Sequence, residues 1–394
     1  AHCDVVVIGG GISGVIAAKL SAEKKLNTIL LDDKKDLGGV SIYNNDENFK
    51  INDQNVSQWL SNEIENLKKY PTLSIKTRTS LAAFHGYNYL LAKENLTDHL
   101  SVGDRKDKIR QRLWKIRAKK VIISAGAIER PLIFNNNDRP GILLNSSIKK
   151  YIDYYGVKCG NKISIFTSND SSYETALSLY KNGVKINSII DIRDKSESLI
   201  VKKVQDIGIK IYWKHTVVNT KGYKRINSIE LMKLNEKGTG VIGDKINESC
   251  DCLGISGGWT PMVHLFTQSG GKLEFNRINN MFIPNESKSP SEQISVGSCN
   301  GDLELDDIIK KTNLKTKKFL DINTSIFDSL KIQSSKEKNK KNIWLLPSDK
   351  ALGKTKPFLD FQNDSTAKDV KLALREGFKS IEHVKRYTTT GMGT

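Results

Sequence analysis

The sequence predicts an α/β protein of two three-layer domains, the second inserted in the first. Three observations carry that reading. DVVVIGGGISGVIAAKL, residues 4–20, runs as an apolar strand through a glycine turn into a helix. KISIFTSNDSSYETALSL, residues 162–179, repeats the plan without the glycines. ISVGSCNGDLEL, residues 294–305, carries another glycine turn before a helix and reads as the return to the first domain.

A chain of 394 residues is too long for one ordinary core, and its 38% apolar content is enough to fold. The expected division is a first dinucleotide-binding domain over 1–155 and a degenerate second one over 156–260. A return segment over 261–312 and a connector over 313–394 complete it. No run of 18 or more apolar residues occurs, so no membrane span is expected. The first residues, AHCD, show no signal peptide and no initiator Met, so the sequence reads as an excised piece of a longer chain.

Lysine and arginine number 62 against 44 acids, a balance of +18. Clustered charge would point to nucleic acid, but the short basic runs, such as KEKNKKN at 336–342, read as solvated surface of a looped connector. Five scattered cysteines suggest reduced thiols and a cytoplasmic setting. Cys250 and Cys252 share a strand face at i and i+2, and no His/Cys set completes a zinc pattern.

In the first unit, Gly9, Gly11 and Gly14 stand at the GxGxxG spacing directly after the run Val5 to Ile8. The first permits the tight turn, the second lets backbone approach a pyrophosphate, and the third allows close packing of helix on strand. The helix N-terminus then offers unpaired N–H groups and its positive dipole end to the phosphates. The next strand ends in Asp32 and Asp33, about 20 residues on, where an acid bonds the adenosine ribose and disfavours a 2′-phosphate. NAD or FAD is therefore expected over NADP. Gly38 and Gly39 resemble the second glycine pair of flavoprotein-like two-dinucleotide folds, where the chain turns back past the ligand. Residues 44–118 alternate as a meander of strands, with Leu81 on one of them, and a buried strand then ends at Ala125 and Gly126.

In the second unit Thr167, Asn169 and Ser172 stand where the three glycines would be, filling the space a pyrophosphate needs. Asp191 ends the second strand there and reads as a solvated terminus. Val296, Gly297 and Gly301 form the later glycine turn, whose following helix is expected to aim a second N-terminus at the same ligand. His264 is a lone histidine with a packed or surface role.

AGAIERPLIFNNNDRPGILL, FTSNDSSYETAL, ISGGWTPMVHLFTQSGGKL and the tail from Phe358 resemble the two-dinucleotide-domain flavoproteins of glutathione-reductase-like FAD/NAD(P)-binding fold. Within them the resemblance is to the alpha subunit of heterotetrameric sarcosine oxidase. It implies oxidation of sarcosine to glycine, with the one-carbon unit passed to tetrahydrofolate or released as formaldehyde and oxygen reduced to peroxide. NAD would sit in the first site, FAD in the beta subunit and covalent FMN at the alpha–beta interface, with gamma and delta subunits completing the complex. By the same resemblance Ser13, Asp32, Asp33, Lys34, Val40, Leu81 and the loop 296–303, including Leu303, line the NAD, and this chain holds no catalytic residue. Lys34 stands where the family often has Arg. The folate-binding C-terminal domain of the family would begin where this sequence stops, at Thr394.

Two other readings stand beside this one. A self-contained FAD-dependent reductase would need a working second turn and a redox pair, and no CxxC occurs. A basic nucleic-acid-binding or structural protein would need a recognisable binding motif.

Overall fold

The computed structural model describes residues 1–43, 49–334, 337 and 341–392. Of the basic run 336–342, only Glu337, Lys341 and Asn342 fall among the described residues. The chain forms two compact units, one of Ala1–Ile128 with Trp259–Lys336, the other of Glu129–Gly258 with Glu337–Thr394.

The first unit is organised around β1 (His2–Ile8) and α1 (Ile12–Glu23). Successive side chains of a strand point to opposite faces, and here both faces are covered. Val5 and Val7 pack with α1 and α2 (Val56–Leu67), while Val6 and Ile8 pack into a separate core with Phe84 and Leu90. This is why the strand reads as an unbroken apolar run. β1 pairs in parallel with β2 (Thr28–Leu31), which pairs in parallel with β3 (Leu73–Lys76). β4 (Thr79–His85) and β5 (Tyr89–Asn95) form an antiparallel meander that ends on the long β6 (Gln111–Ile123).

β6 serves two sheet neighbours along one edge. Its polar first half pairs antiparallel with β5, and its apolar end, Val121 to Ile123, pairs in parallel with the return strand Gln293–Ser295. Its other edge lies against β1. The return helix Leu305–Leu320 packs Ile309 and Leu320 into the same core as α1.

The second unit has a five-stranded parallel sheet of its own. In chain order its elements are β7 (Ile142–Leu144), α3 (Asn145–Tyr155), β8 (Ile163–Thr167), α4 (Ser171–Lys181), β9 (Ile186–Asp191), β10 (Ile211–Trp213) and, after an antiparallel sheet, β11 (Cys252–Ser256). The strand order is β7-β11-β8-β9-β10. Ile163 and Ile165 pack under Ala176 and Leu179 of α4, and Phe166 packs on the opposite side against Phe134.

These boundaries correct the expected ones. The first domain ends at Ile128 rather than 155, because β7 pairs with β11 and α3 packs in the second unit. The expected break at 312 would cut the helix Leu305–Leu320, which is continuous. The supposed connector is divided between the units, and its tail is folded, with helices Ala367–Arg375 and Ile381–Thr388. The run Asn135–Asn137 ties that tail in. The Asn137 amide donates to Phe358 O at 2.9 Å and accepts Phe358 N–H at 2.8 Å, and Asn135 Oδ1 accepts Lys356 N–H at 2.8 Å.

Cys250 packs with Phe166 and Leu253, whereas Cys252 packs with Ile163 and Ala176, so the two thiols do not share a face. His264 is exposed at the start of a short helix.

Candidate functional site

The turn between β1 and α1 shows what each glycine does. Gly9 has φ +99°, a conformation that L side chains rarely adopt, and its backbone lies against that of Ser124 at the end of β6. A Cβ on Gly14 would collide with Gly9 O, so the helix can pack this tightly only with glycine there. At Gly11 the situation is opposite: nothing of the protein lies within 4 Å of where a Cβ would stand. The N-terminus of α1 opens at this residue, with no side-chain cap and no acid in the first turn. Unsatisfied N–H groups at a helix start, with open space before them, suit a phosphate.

The two acids at the end of β2 have different tasks. Asp32 is buried; its Oδ2 accepts Gly10 N–H at 2.6 Å and its Oδ1 accepts Lys34 N–H at 2.8 Å. Burial pushes its pKa above the usual carboxylate value, although those two N–H groups pull the other way. Asp32 is thus a brace for the glycine turn. Asp33 is exposed and pairs with the equally exposed Lys34 at 2.6 Å, so its carboxylate is the one presented at the strand end. Gly38 reinforces the turn by donating to Gly10 O at 2.7 Å and bridging to Gly11, and Val40 beyond it is 65% exposed. Leu81 lies on β4, opposite Ala92 and two residues past Thr79, whose N–H donates to Asp32 O at 2.7 Å.

The return segment closes on the same turn. Val296 donates to Ile123 O at 2.9 Å, and Gly297, at φ +69°, sits so close to Ser13 that a Cβ there would strike the Ser13 hydroxyl. Ser13 itself is buried. Gly126, at φ +76°, accepts Met262 N–H at 3.0 Å and has open space at its Cβ position. Gly301 packs on Ile283, so its lack of a side chain serves that contact. Leu303 is half-buried just before the return helix. That helix carries Asp306 and Asp307 in its first turn, paired with Lys310 at 2.7 Å and with Lys311 at 3.2 Å.

Two residues of this frame carry no motif signal. Ser124 Oγ lies 2.9 Å from Ile8 O and 2.7 Å from Gly9 O, joining β6 to the turn. Lys315 donates to Ser295 O and Asn300 Oδ1, both at 2.9 Å, and clamps the return loop from the helix behind it.

The second unit presents the same plan with the space filled. Ser172 Oγ is 2.7 Å from Thr167 Oγ1 and accepts the Asn145 amide at 2.8 Å, while the Asn169 amide donates to Ser256 Oγ at 2.8 Å. Asp191, expected as a solvated terminus, is 0% exposed. It pairs at 2.8 Å with Arg193, itself 1% exposed, and accepts the Tyr173 hydroxyl at 2.8 Å. Arg193 also meets Asp170 at 2.8 Å and Glu337 at 2.7 Å. Burial works against its charge, but the bonds to Asp191 and the neighbouring carboxylates outweigh it and raise its pKa. Glu337 in turn accepts Asp170 N–H at 3.0 Å, at the start of α4.

Residues 3–299, most of the chain, match the pyridine nucleotide-disulphide oxidoreductase family. The chain belongs to that family. Residues 354–394 match the sarcosine oxidase A3 domain. Within this oxidoreductase family the chain is similar to the sarcosine oxidase alpha subunit of Corynebacterium sp. (strain U-96), at 30% identity over 98% of this chain and 40% of that protein. It is 29% identical to the alpha subunit from Rhizobium meliloti (strain 1021), over 100% of this chain and 38% of the relative. The expected kinship with sarcosine oxidase alpha subunits therefore holds, and the chain spans about 40% of the length of those relatives. Among solved structures, L-proline dehydrogenase from P. horikoshii superposes with a TM-score of 0.68 at 18% identity, covering 100% of this chain and 70% of that one. Thioredoxin reductase from T. acidophilum gives 0.61 at 16% identity, covering 82% and 97%. At such identities the likeness is one of fold, and it agrees with the predicted pair of FAD/NAD(P)-binding-type domains.

Proposed function

We propose that this chain is the NAD-binding module of a sarcosine oxidase alpha subunit, with the oxidation itself carried out on flavins of partner subunits. The carrying observation is the contrast between two helix starts: α1 opens uncapped onto free space at Gly11, while α4 has Glu337 on its threshold and Glu174 in its first turn. In this reading the N–H groups at Gly11 to Ser13 hold the pyrophosphate and Asp33 bonds the adenosine ribose. Asp32 keeps the turn in shape, and Ser13 with Val296, Gly297 and Lys315 fixes the wall across from it. Bound NAD supplies a nicotinamide hydride couple.

The designation of the relatives as sarcosine oxidase alpha subunits supports a place in a multi-subunit enzyme; the remainder of the proposal follows the family resemblance. As part of a sarcosine oxidase, the chain would work with beta, gamma and delta subunits on sarcosine, with FAD in beta and FMN at the alpha–beta interface. No helix of the described residues is long and apolar enough to cross a membrane, and five unpaired thiols are compatible with a reducing compartment.

The spectrum of the purified chain and the identity of its extracted nucleotide test the assignment. NAD without flavin absorbance is the expected result. A yellow protein whose flavin is bleached by NADH alone would replace this reading with that of a self-contained FAD-dependent reductase.

A further inference from the structure

In the first unit the strands Lys272–Asn276 and Met281–Asn285 form an antiparallel ribbon that pairs with no other strand among the described residues. Side chains of such a ribbon alternate between two faces. On one face Met281 and Ile283 lie against Gly301, where a Cβ would strike Ile283. On the other, Leu273 packs against the core that contains Phe266, and its cross-strand neighbour Pro284 is buried. The next pair on that face is bare. Phe275 and Phe282 meet edge to face at 5.1 Å between ring centroids, yet they are 45% and 55% exposed.

The ribbon is fixed at both ends. Asn276 Oδ1 accepts the N–H groups of Ile278 and Asn279 at 3.0 and 3.1 Å and holds the turn. At the far end Glu286 Oε1 accepts Ser295 N–H at 3.0 Å and pairs with Lys315 at 2.7 Å. A cross-strand aromatic pair steadies a hairpin by itself, but Ile278 in the turn is 86% exposed and serves no such purpose. Three large apolar side chains presented together on a fixed support mark an interaction surface.

Charge identifies the kind of partner. Lys272, Arg277 and Lys288 are exposed along the ribbon, and none of them pairs with a carboxylate among the described residues. The two acids of the ribbon are engaged: Glu274 accepts the Asn285 amide at 3.0 Å, and Glu286 faces Lys315. The whole chain carries a formal charge of +18, so a second copy would bring more charge of the same sign. An apolar patch with carboxylates around it is the complementary surface.

We infer that the outer end of this ribbon is a docking surface for a different protein chain, one that presents an apolar patch rimmed by Asp and Glu. Phe275, Phe282 and Ile278 enter that patch, and Arg277 and Lys272 meet its carboxylates. The inference does not depend on which nucleotide the first unit holds.

Photo-crosslinking of the full-length protein in the cells that make it tests this, with p-benzoylphenylalanine at position 282 or, as a control, at position 223, where the exposed Tyr223 belongs to the other unit. Position 282 should give one discrete product with a second kind of chain, and mass spectrometry should place the link in an apolar peptide flanked by Asp and Glu. Position 223 should not give that product. Adding Ile278→Ser or Arg277→Glu to the position-282 chain should each cut the yield at least about fivefold, the scale of a residue that anchors an interface, with the circular dichroism of the purified variants unchanged. No product, a product joining two copies of this chain, a lipid adduct, a linked peptide without carboxylates, the same product from position 223, or a yield indifferent to both substitutions would each overturn the inference.

Discussion

Glu337 accepts the backbone N–H of Asp170 at 3.0 Å, occupying the threshold of α4 where a dinucleotide unit receives phosphate. The same carboxylate pairs with Arg193 at 2.7 Å, inside a group that also contains Asp170 and Asp191. The start of α4 is thus held by an internal charge cluster. Removing the cation should expose the cost. Arg193→Met leaves three carboxylates without it, and breaking a buried pair in this way costs on the order of 3–5 kcal/mol. Urea unfolding should show that loss in the second unit, while the nucleotide content of the first is retained.

Gly11 and Gly14 separate binding from folding. Gly11 has φ −69°, open to any residue, and free space at its Cβ position, so Gly11→Val should leave the thermal midpoint nearly unchanged and empty the nucleotide site. A fall in NAD affinity of at least about a hundredfold, roughly 2.7 kcal/mol, is expected by titration. Gly14→Ala, which drives a methyl into Gly9 O, should lower both affinity and the midpoint. Asn169→Val should leave nucleotide occupancy as it is. Loss of nucleotide from the Asn169 variant alone would move the site to the second unit.

The first turn could be read from the sequence because its requirements are local: Gly9, Gly11, Gly14 and the acids at the end of β2 fall within one βαβ unit, and each spacing has a steric reason. What Asp32 and Asp33 do separately could not be read, since two adjacent acids at a strand end differ only in which face each takes. The burial of Asp191 was hidden for another reason. Its partner Arg193 is two residues away, but Glu337, which completes the cluster, lies 144 residues beyond Arg193 in a run that reads as solvated. The domain boundary failed similarly, because β7 is joined to β11, more than a hundred residues on in the chain.

Asp32 and Asp33 should answer differently to removal of charge or side chain. Under the proposed assignment of Asp33 to the adenosine ribose, Asp33→Asn should reduce NAD affinity by about tenfold, near 1.4 kcal/mol, with no change in urea midpoint. Asp32→Ala strips Gly10 and Lys34 N–H of their acceptor and should cost about 1–3 kcal/mol of stability. Comparing NAD titrations with unfolding curves for the two variants checks the division of labour.

The buried thiols make the fold sensitive to alkali. Cys250 and Cys252 are each pushed up to about 12 by burial, and Cys3 and Cys299 to about 11, from an ordinary value of 9.0. As pH rises above 9 the unfolded chain releases these protons while the folded chain keeps them. The unfolded state then binds fewer protons, so stability falls with rising pH, by up to roughly 1.4 kcal/mol per pH unit for each thiol. The loss levels off only when the folded thiols themselves ionise. Urea midpoints measured between pH 9 and 11 should therefore decline, and the decline should be shallower in Cys252→Ala. At pH 8, iodoacetamide followed by mass spectrometry of the native protein should find Cys159 modified first, since it is half-buried while the other four thiols are buried.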